Sequence, residues 1–142
     1  MGRTYLFECS RCGYRAKASG REDQGFGFCV QTIACRDCKS LYDAVIRAKI
    51  PITLETKIQD GLPGLPGFKS PNALRPSASP PAFQSVLNRL NFRGAKRFKW
   101  VEFKPQCPVS TIHRVQVWND PDKCPKCGTY MDKHPLPYRI WD

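Results

Sequence analysis

The sequence predicts a small, β-rich, metal-stabilised protein, with two metal-stapled lobes joined by a Pro/Gly-rich linker and one helix. Three observations lead there. Six of the eight cysteines fall in Cys-x2-Cys pairs, Cys9/Cys12, Cys35/Cys38 and Cys124/Cys127. A chain of 142 residues with 41% hydrophobic content, 13 Pro and 10 Gly holds little material for one large core, and such domains need staples. The apolar runs are short and strand-like, apart from one stretch with helical spacing.

Residues 1–58 read as the first lobe. Thr4–Glu8 is a short strand leading into Cys9-Ser10-Arg11-Cys12-Gly13, where Gly13 suits the left-handed position after the second cysteine. Tyr14–Ala18 alternates and reads as a strand. Arg21–Gly27 is the loop at its far end, with Phe26 either exposed or folded back onto the sheet. Phe28–Ala34 runs into Cys35-Arg36-Asp37-Cys38, and Leu41–Ile46 and Ile50–Thr56 are β-rich segments broken by Pro51. Residues 59–79 change character, from Gly61-Leu62-Pro63-Gly64-Leu65-Pro66-Gly67 to Pro71 and Pro76, and read as an extended linker.

Residues 80–142 read as the second lobe. A helix is predicted over 79–93: Ser79 caps it, Pro80 and Pro81 fit its first turn, and Gly94 stops it. Phe83, Val86, Leu87 and Leu90 follow the i, i+3, i+4, i+7 spacing of one apolar face. Phe98–Phe103 then reads as a strand leading towards Cys107, followed by the last knuckle and a tail ending Tyr138-Arg139-Ile140-Trp141-Asp142.

A Cys-x2-Cys turn presents two thiolates to one ion, and two such turns complete a tetrahedral site. Pairing neighbours along the chain gives a first site of Cys9, Cys12, Cys35 and Cys38. The 22 residues between Cys12 and Cys35 allow two strands and a loop. The second site takes Cys107, Cys124 and Cys127, with His113 as the expected fourth ligand in a Cys-x5-His-x10-Cys-x2-Cys pattern. His134 and Cys29 are the alternatives for that place, and otherwise Cys29 is a small buried hydrophobe. Soft thiolates in tetrahedral array favour zinc, with iron as the main competitor, so two Zn2+ ions are expected.

The knuckles Cys9-x2-Cys12-Gly13 and Cys124-Pro125-x-Cys127-Gly128 resemble those of the zinc-ribbon superfamily. The resemblance covers residues 5–46 well and 105–131 in part; the second half departs from the pattern, since one knuckle becomes Cys107 plus a distant histidine. It implies a ribbon fold and a metal. The superfamily includes transcription factors, polymerase subunits, ribosomal proteins and protein-binding modules, so function stays open.

The formal charge is +11, and counting zinc-bound cysteines as thiolates leaves about +8. That surplus points to nucleic acid or an acidic protein surface as partner. It is densest in residues 59–104, with eight Lys/Arg against two Asp/Glu. There Arg89, Arg93, Lys96, Arg97, Lys99 and Lys104 interleave with Phe92, Phe98, Trp100 and Phe103, cations for phosphate beside rings for bases. The competing reading is an amphipathic helix and strand with core aromatics and solvated cations. In a strand, Lys99, Val101 and Phe103 face opposite to Phe98, Trp100 and Glu102.

Four-cysteine zinc is closed, whereas catalytic zinc keeps an open position. The glutamates Glu8, Glu22, Glu55 and Glu102 form no deaminase motif, and no phosphate loop or Ser/His/Asp spacing stands out. The expectation is therefore a non-catalytic nucleic-acid-binding module. The rival is a zinc-stapled structural or adaptor subunit of a larger complex, docking through Tyr138, Ile140 and Trp141 unless these close a core. The N-terminal residues carry no apolar signal core and no run reaches transmembrane length, so a reducing cytoplasm and no membrane are expected.

Overall fold

The computed structural model describes residues 1–51, Phe83 and residues 97–141. Its elements among these residues are strands, and Phe83 has helical backbone. The predicted linker and all of the predicted 79–93 helix except Phe83 lie outside the described residues.

Strand β1 (Gly2–Glu8) runs into the first knuckle, and β2 (Arg15–Ala18) returns beside it with Phe7 opposite Ala16. After the two-residue β3 (Asp23–Gln24), β4 (Phe28–Cys35) runs into the second knuckle, and β5 (Ser40–Pro51) returns along its whole length. The register slips between Cys29 and Val30, whose partners are Arg47 and Val45. This bulge puts Val45 and Ile46 out of alternation. Leu41–Ile46 and Ile50, read from sequence as parts of two segments, therefore lie in one strand, and residues 52–56 of the second segment lie outside the described residues.

β6 (Phe98–Glu102) lines the free edge of β5, with Trp100 opposite Lys49 and Phe98 opposite Pro51. β7 (Val115–Val117) pairs with β4. β8 (Asp132–Lys133) and β9 (Arg139–Trp141) both pair with β1.

The two sheets share one plan. Each has a central strand, β1 or β4, whose knuckle opens a hairpin to β2 or β5. Short strands lie end to end on the other edge. Along β1 these are β8 at Glu8 and β9 at Gly2; along β4 they are β7 at Cys35 and β3 at Cys29. Strands from both sides of the predicted linker thus share each sheet. The expected division into lobes 1–58 and 80–142 does not describe this arrangement, because neither sheet is complete without the other half of the chain.

Two apolar clusters hold the sheets. One takes Phe7, Ala16 and Ala18 from the first sheet, Ala34 and Leu41 from the second, and Trp118 and Met131 from the C-terminal segment. Its centre is an edge-on contact of Phe7 and Trp118, with ring centroids 5.0 Å apart. The other takes Phe28, Val30, Val45 and Ala48 with Trp141, and Phe83 and Phe103 pack against it. Trp141 stacks on Phe28 at 4.7 Å, and the Trp141 Nε1–H donates to Thr4 Oγ1. Trp141 therefore closes a core, and of the proposed docking trio only Tyr138 and Ile140 are exposed.

A polar tie also crosses between the sheets. The Ser19 N–H and hydroxyl donate to the Asp43 carboxylate, as does the Thr32 hydroxyl, which itself accepts the Gly20 N–H. Burial pushes the Asp43 carboxyl above its ordinary range, and the Thr32 and Ser19 hydrogen bonds pull against that rise.

Candidate metal centres and basic face

The first knuckle is built by backbone bonds that need a left-handed residue at its end. Cys9 N–H donates to Tyr14 O and Gly13 N–H to Cys9 O, with Gly13 at φ 70°. The third knuckle repeats this: Cys124 N–H donates to Thr129 O and Gly128 N–H to Cys124 O, with Gly128 at φ 75°. β1 delivers the first turn, and β8, paired at Glu8, leads back from the third. The two turns face one another. Cys9 and Cys127 sulfurs are 3.4 Å apart, and Cys12 and Cys124 sulfurs 3.7 Å.

The second knuckle turns differently, with Lys39 at φ 51° in place of a glycine and Cys38 N–H donating to the Cys35 sulfur. β7, paired with the end of β4, carries the 107–113 loop against it. His113 Nδ1 lies 3.8, 3.3 and 3.6 Å from the sulfurs of Cys35, Cys38 and Cys107. The Arg36 N–H to Arg114 O bond and the Arg114 N–H to Asp37 carboxylate bond fasten loop to knuckle.

The chain therefore holds two four-ligand clusters, Cys9/Cys12/Cys124/Cys127 and Cys35/Cys38/Cys107/His113, with all ligand atoms of each within 4.8 Å of one another. All eight predicted ligands are present, but their partition is corrected. The sites are nested along the chain rather than sequential: the outer knuckles pair with each other and the inner ones pair inside them. His113 is the histidine in a cluster; His134 is exposed and lies in neither, as does the buried Cys29. The pairing coincides with one difference among the knuckles. The two knuckles followed by glycine go together, and Cys38-Lys39, which lacks one, goes with the histidine-containing loop.

The geometry fits a tetrahedral ion. Metal–sulfur bonds of about 2.3 Å give sulfur–sulfur edges of about 3.8 Å, and a nitrogen ligand at about 2.1 Å gives sulfur–nitrogen edges of about 3.6 Å. The contacts named above run from 3.3 to 3.8 Å, close to these edges, and sulfurs 3.4 Å or more apart are not disulfide-bonded. Thiol acidity is divided within each cluster. N–H and hydroxyl groups of Thr129 and the neighbouring sulfurs pull Cys127 down to about 6. Cys12, despite a backbone bond at Tyr14, is pushed up to about 11 by desolvation and its sulfur neighbours. Burial raises Cys107, but the amides of Ser110 and Val109 and the His113 ring bring it down to about 7. Burial and the sulfurs of Cys107 and Cys35 push Cys38 up to about 11.

Of the predicted nucleic-acid residues, Arg89, Arg93 and Lys96 lie outside the described residues. Arg97, Lys99, Trp100 and Lys104 are exposed on and beside β6. Its two faces divide as alternation predicts: Phe103 packs on the second core, while Phe98 and Trp100 share the outward face with Lys49. Two further members of this face are Phe26, whose exposure the sequence left open, and Lys49, which sequence reasoning missed. Phe26 is 67% exposed, and its loop is held to β5 by a bond from Lys49 N–H to Gly27 O. The Lys49 ammonium lies 4.6 Å from the Phe26 ring centre and 5.1 Å from that of Phe98.

Comparison with protein-family models, curated proteins and solved structures gives no match. Among the described residues, no helix is long and apolar enough to cross a membrane.

Proposed function

We propose that this chain is a zinc-binding, non-catalytic module, related to the zinc ribbons, that associates with nucleic acid in a reducing cytoplasm. The observation that carries the reading is the outward face of β5–β6. It holds an exposed tryptophan opposite a lysine in register, on the sheet whose β4–β5 turn carries the Cys35/Cys38/Cys107/His113 cluster. Thiolate-rich tetrahedral donors support zinc over harder-ligand metals, and four ligands per site support a structural role. The charge surplus of +11 supports a polyanionic partner.

The test is a titration of the metal-loaded protein with nucleic acid over a range of salt. The expected slope of log K against log salt is about −0.9 per phosphate neutralised on a duplex and about −0.7 on a single strand. Absence of binding at low salt sinks the reading. Elemental analysis of the purified protein reads the metal, and two zinc per chain is expected.

The adaptor reading draws on the exposed Leu136, Tyr138 and Ile140 of the C-terminal segment. A stoichiometric protein partner that survives nuclease in a pull-down would favour it.

A further inference from the structure

The geometry points to a specific occupant for the Phe26–Lys49–Phe98–Trp100 face: single-stranded nucleic acid, with bases stacked on Trp100 and Phe26 and a phosphate at Lys49. This inference rests on the nucleic-acid reading above and narrows it.

The face is assembled by three separate pieces of chain. β5 supplies Lys49, β6 supplies Phe98 and Trp100 through direct register, and the β3–β4 loop brings Phe26 over the same side of the sheet. Trp100 is 43% exposed and Phe26 67%. A duplex offers its phosphates to the cations but keeps its base faces stacked internally, so accessible rings add nothing to duplex binding. A single strand offers both groups, bases for the rings and phosphates for the cations between them.

An apolar protein partner fits less well, because covering this patch would bury the Lys49 ammonium without a counter-charge. The face's own cation is Lys49; Arg97 and Lys104 are exposed just beyond the two ends of β6, and Lys99, the partner of Ile50, stands on the opposite face. The nearby acids Glu22 and Glu102 both fall beside Arg47, one as an ion pair at 3.0 Å and the other as its cross-strand partner.

Tryptophan emission gives a direct readout. Trp118 and Trp141 are 1% and 5% exposed, so of the three tryptophans Trp100 is the one a bound base can reach. The experiment titrates the full-length, metal-loaded chain with oligothymidylate, oligouridylate and a duplex of equal length, following emission and anisotropy at low salt. The expected result is quenching of Trp100 by the single strands, with affinity at least tenfold above that for the duplex. Trp100→Ala and Phe26→Ala should each weaken single-strand binding about 5- to 100-fold, and Trp100→Phe should restore most of the loss. All three variants should keep wild-type metal content, which reports folding.

Two results would overturn the inference while leaving a nucleic-acid module standing. One is single-strand binding with unchanged emission and no effect of either alanine variant; the other is equal or tighter binding of the duplex. Failure to bind any of the three probes overturns the module as well.

Discussion

The sulfurs of Cys9 and Cys127, 118 positions apart, lie 3.4 Å from one another. This contact closes nearly the whole chain into one loop, inside which Cys35 and Cys38 meet Cys107 and His113. Each site therefore joins the part of the chain before residue 52 to the part after residue 96. Metals held by these clusters would act as clasps across the fold, not as centres of separate lobes.

Double variants distinguish nested from sequential sites. Cys9→Ala with Cys127→Ala removes two ligands of one cluster, so one metal per chain should remain. Cys9→Ala with Cys35→Ala damages both clusters, and both metals should be lost. Sequential sites would give the reverse result. Metal counting by elemental analysis after gel filtration reads the outcome.

Which residues gather into the candidate metal clusters was legible in the sequence, because thiolate spacing is a local property. How they pair was not, because closure entropy discriminates weakly. Each doubling of a loop costs only about 0.6 kcal/mol, so joining Cys12 to Cys124 rather than Cys35 is opposed by only one or two kcal/mol on the order of loop closure. Strand pairing easily outweighs that. β1 finds β8 and β9, and β4 finds β7, and the ligands follow the strands. Those partners were unreadable because strands of two or three residues have too few positions to show alternation. The longer β1, β2, β4 and β6 were read close to their observed bounds.

Metal affinity should depend on pH in two regimes. At pH 8 Cys12 and Cys38, pushed up to about 11, are thiols in the metal-free protein, so each site must release at least one proton on binding. Affinity should then fall at least about tenfold per pH unit as pH drops. Below about 6, Cys127 also holds a proton without metal, and the first site should lose affinity at least about a hundredfold per unit. Metal binds the folded chain, so the stability it confers is present at high pH and lost on acidification. Competition with a chromophoric chelator from pH 5 to 9 measures this, and a flat profile between about 6 and 8 would contradict it.

Trp141 fixes the C-terminal strand to the second core, and Gly2 makes room for it. A Cβ at Gly2 would collide with the Trp141 indole. Trp141→Ala removes the stack on Phe28 and the bond to Thr4, and should cost about 3 kcal/mol or more. Gly2→Val should also destabilise, by forcing the indole off Phe28. In a Trp141→Ala background the same Gly2→Val change should cost far less. Chemical denaturation of the four proteins measures this coupling; additive effects would reject the proposed contact.

The Asp43 tie predicts a polar counterpart. In Asp43→Ala the Ser19 N–H and the Thr32 hydroxyl lose their acceptor in a buried setting, at a cost of about 3 kcal/mol. Amide exchange at Ser19 should speed up before global unfolding, since its protection comes from this carboxylate. Unchanged exchange at Ser19 would mean that another group accepts the bond in solution.

Pro51 and Phe98 are register partners, so residues 52–96 leave and rejoin the sheet at one end of the β5–β6 pair. Both metal clusters and the strand partners of β1 and β4 lie outside that segment. A chain in which a short turn joins Pro51 to Arg97 should therefore fold and bind two metals. It should be less stable by about 2 kcal/mol, because it lacks Phe83, whose ring lies 5.3 Å from Trp141 and 5.9 Å from Phe28. Phe83→Ala in the full-length chain should reproduce most of that loss. If the shortened chain fails to bind metal while Phe83→Ala binds it normally, the excised segment contributes to the fold through more than Phe83, and the β5–β6 connection is not replaceable by a turn.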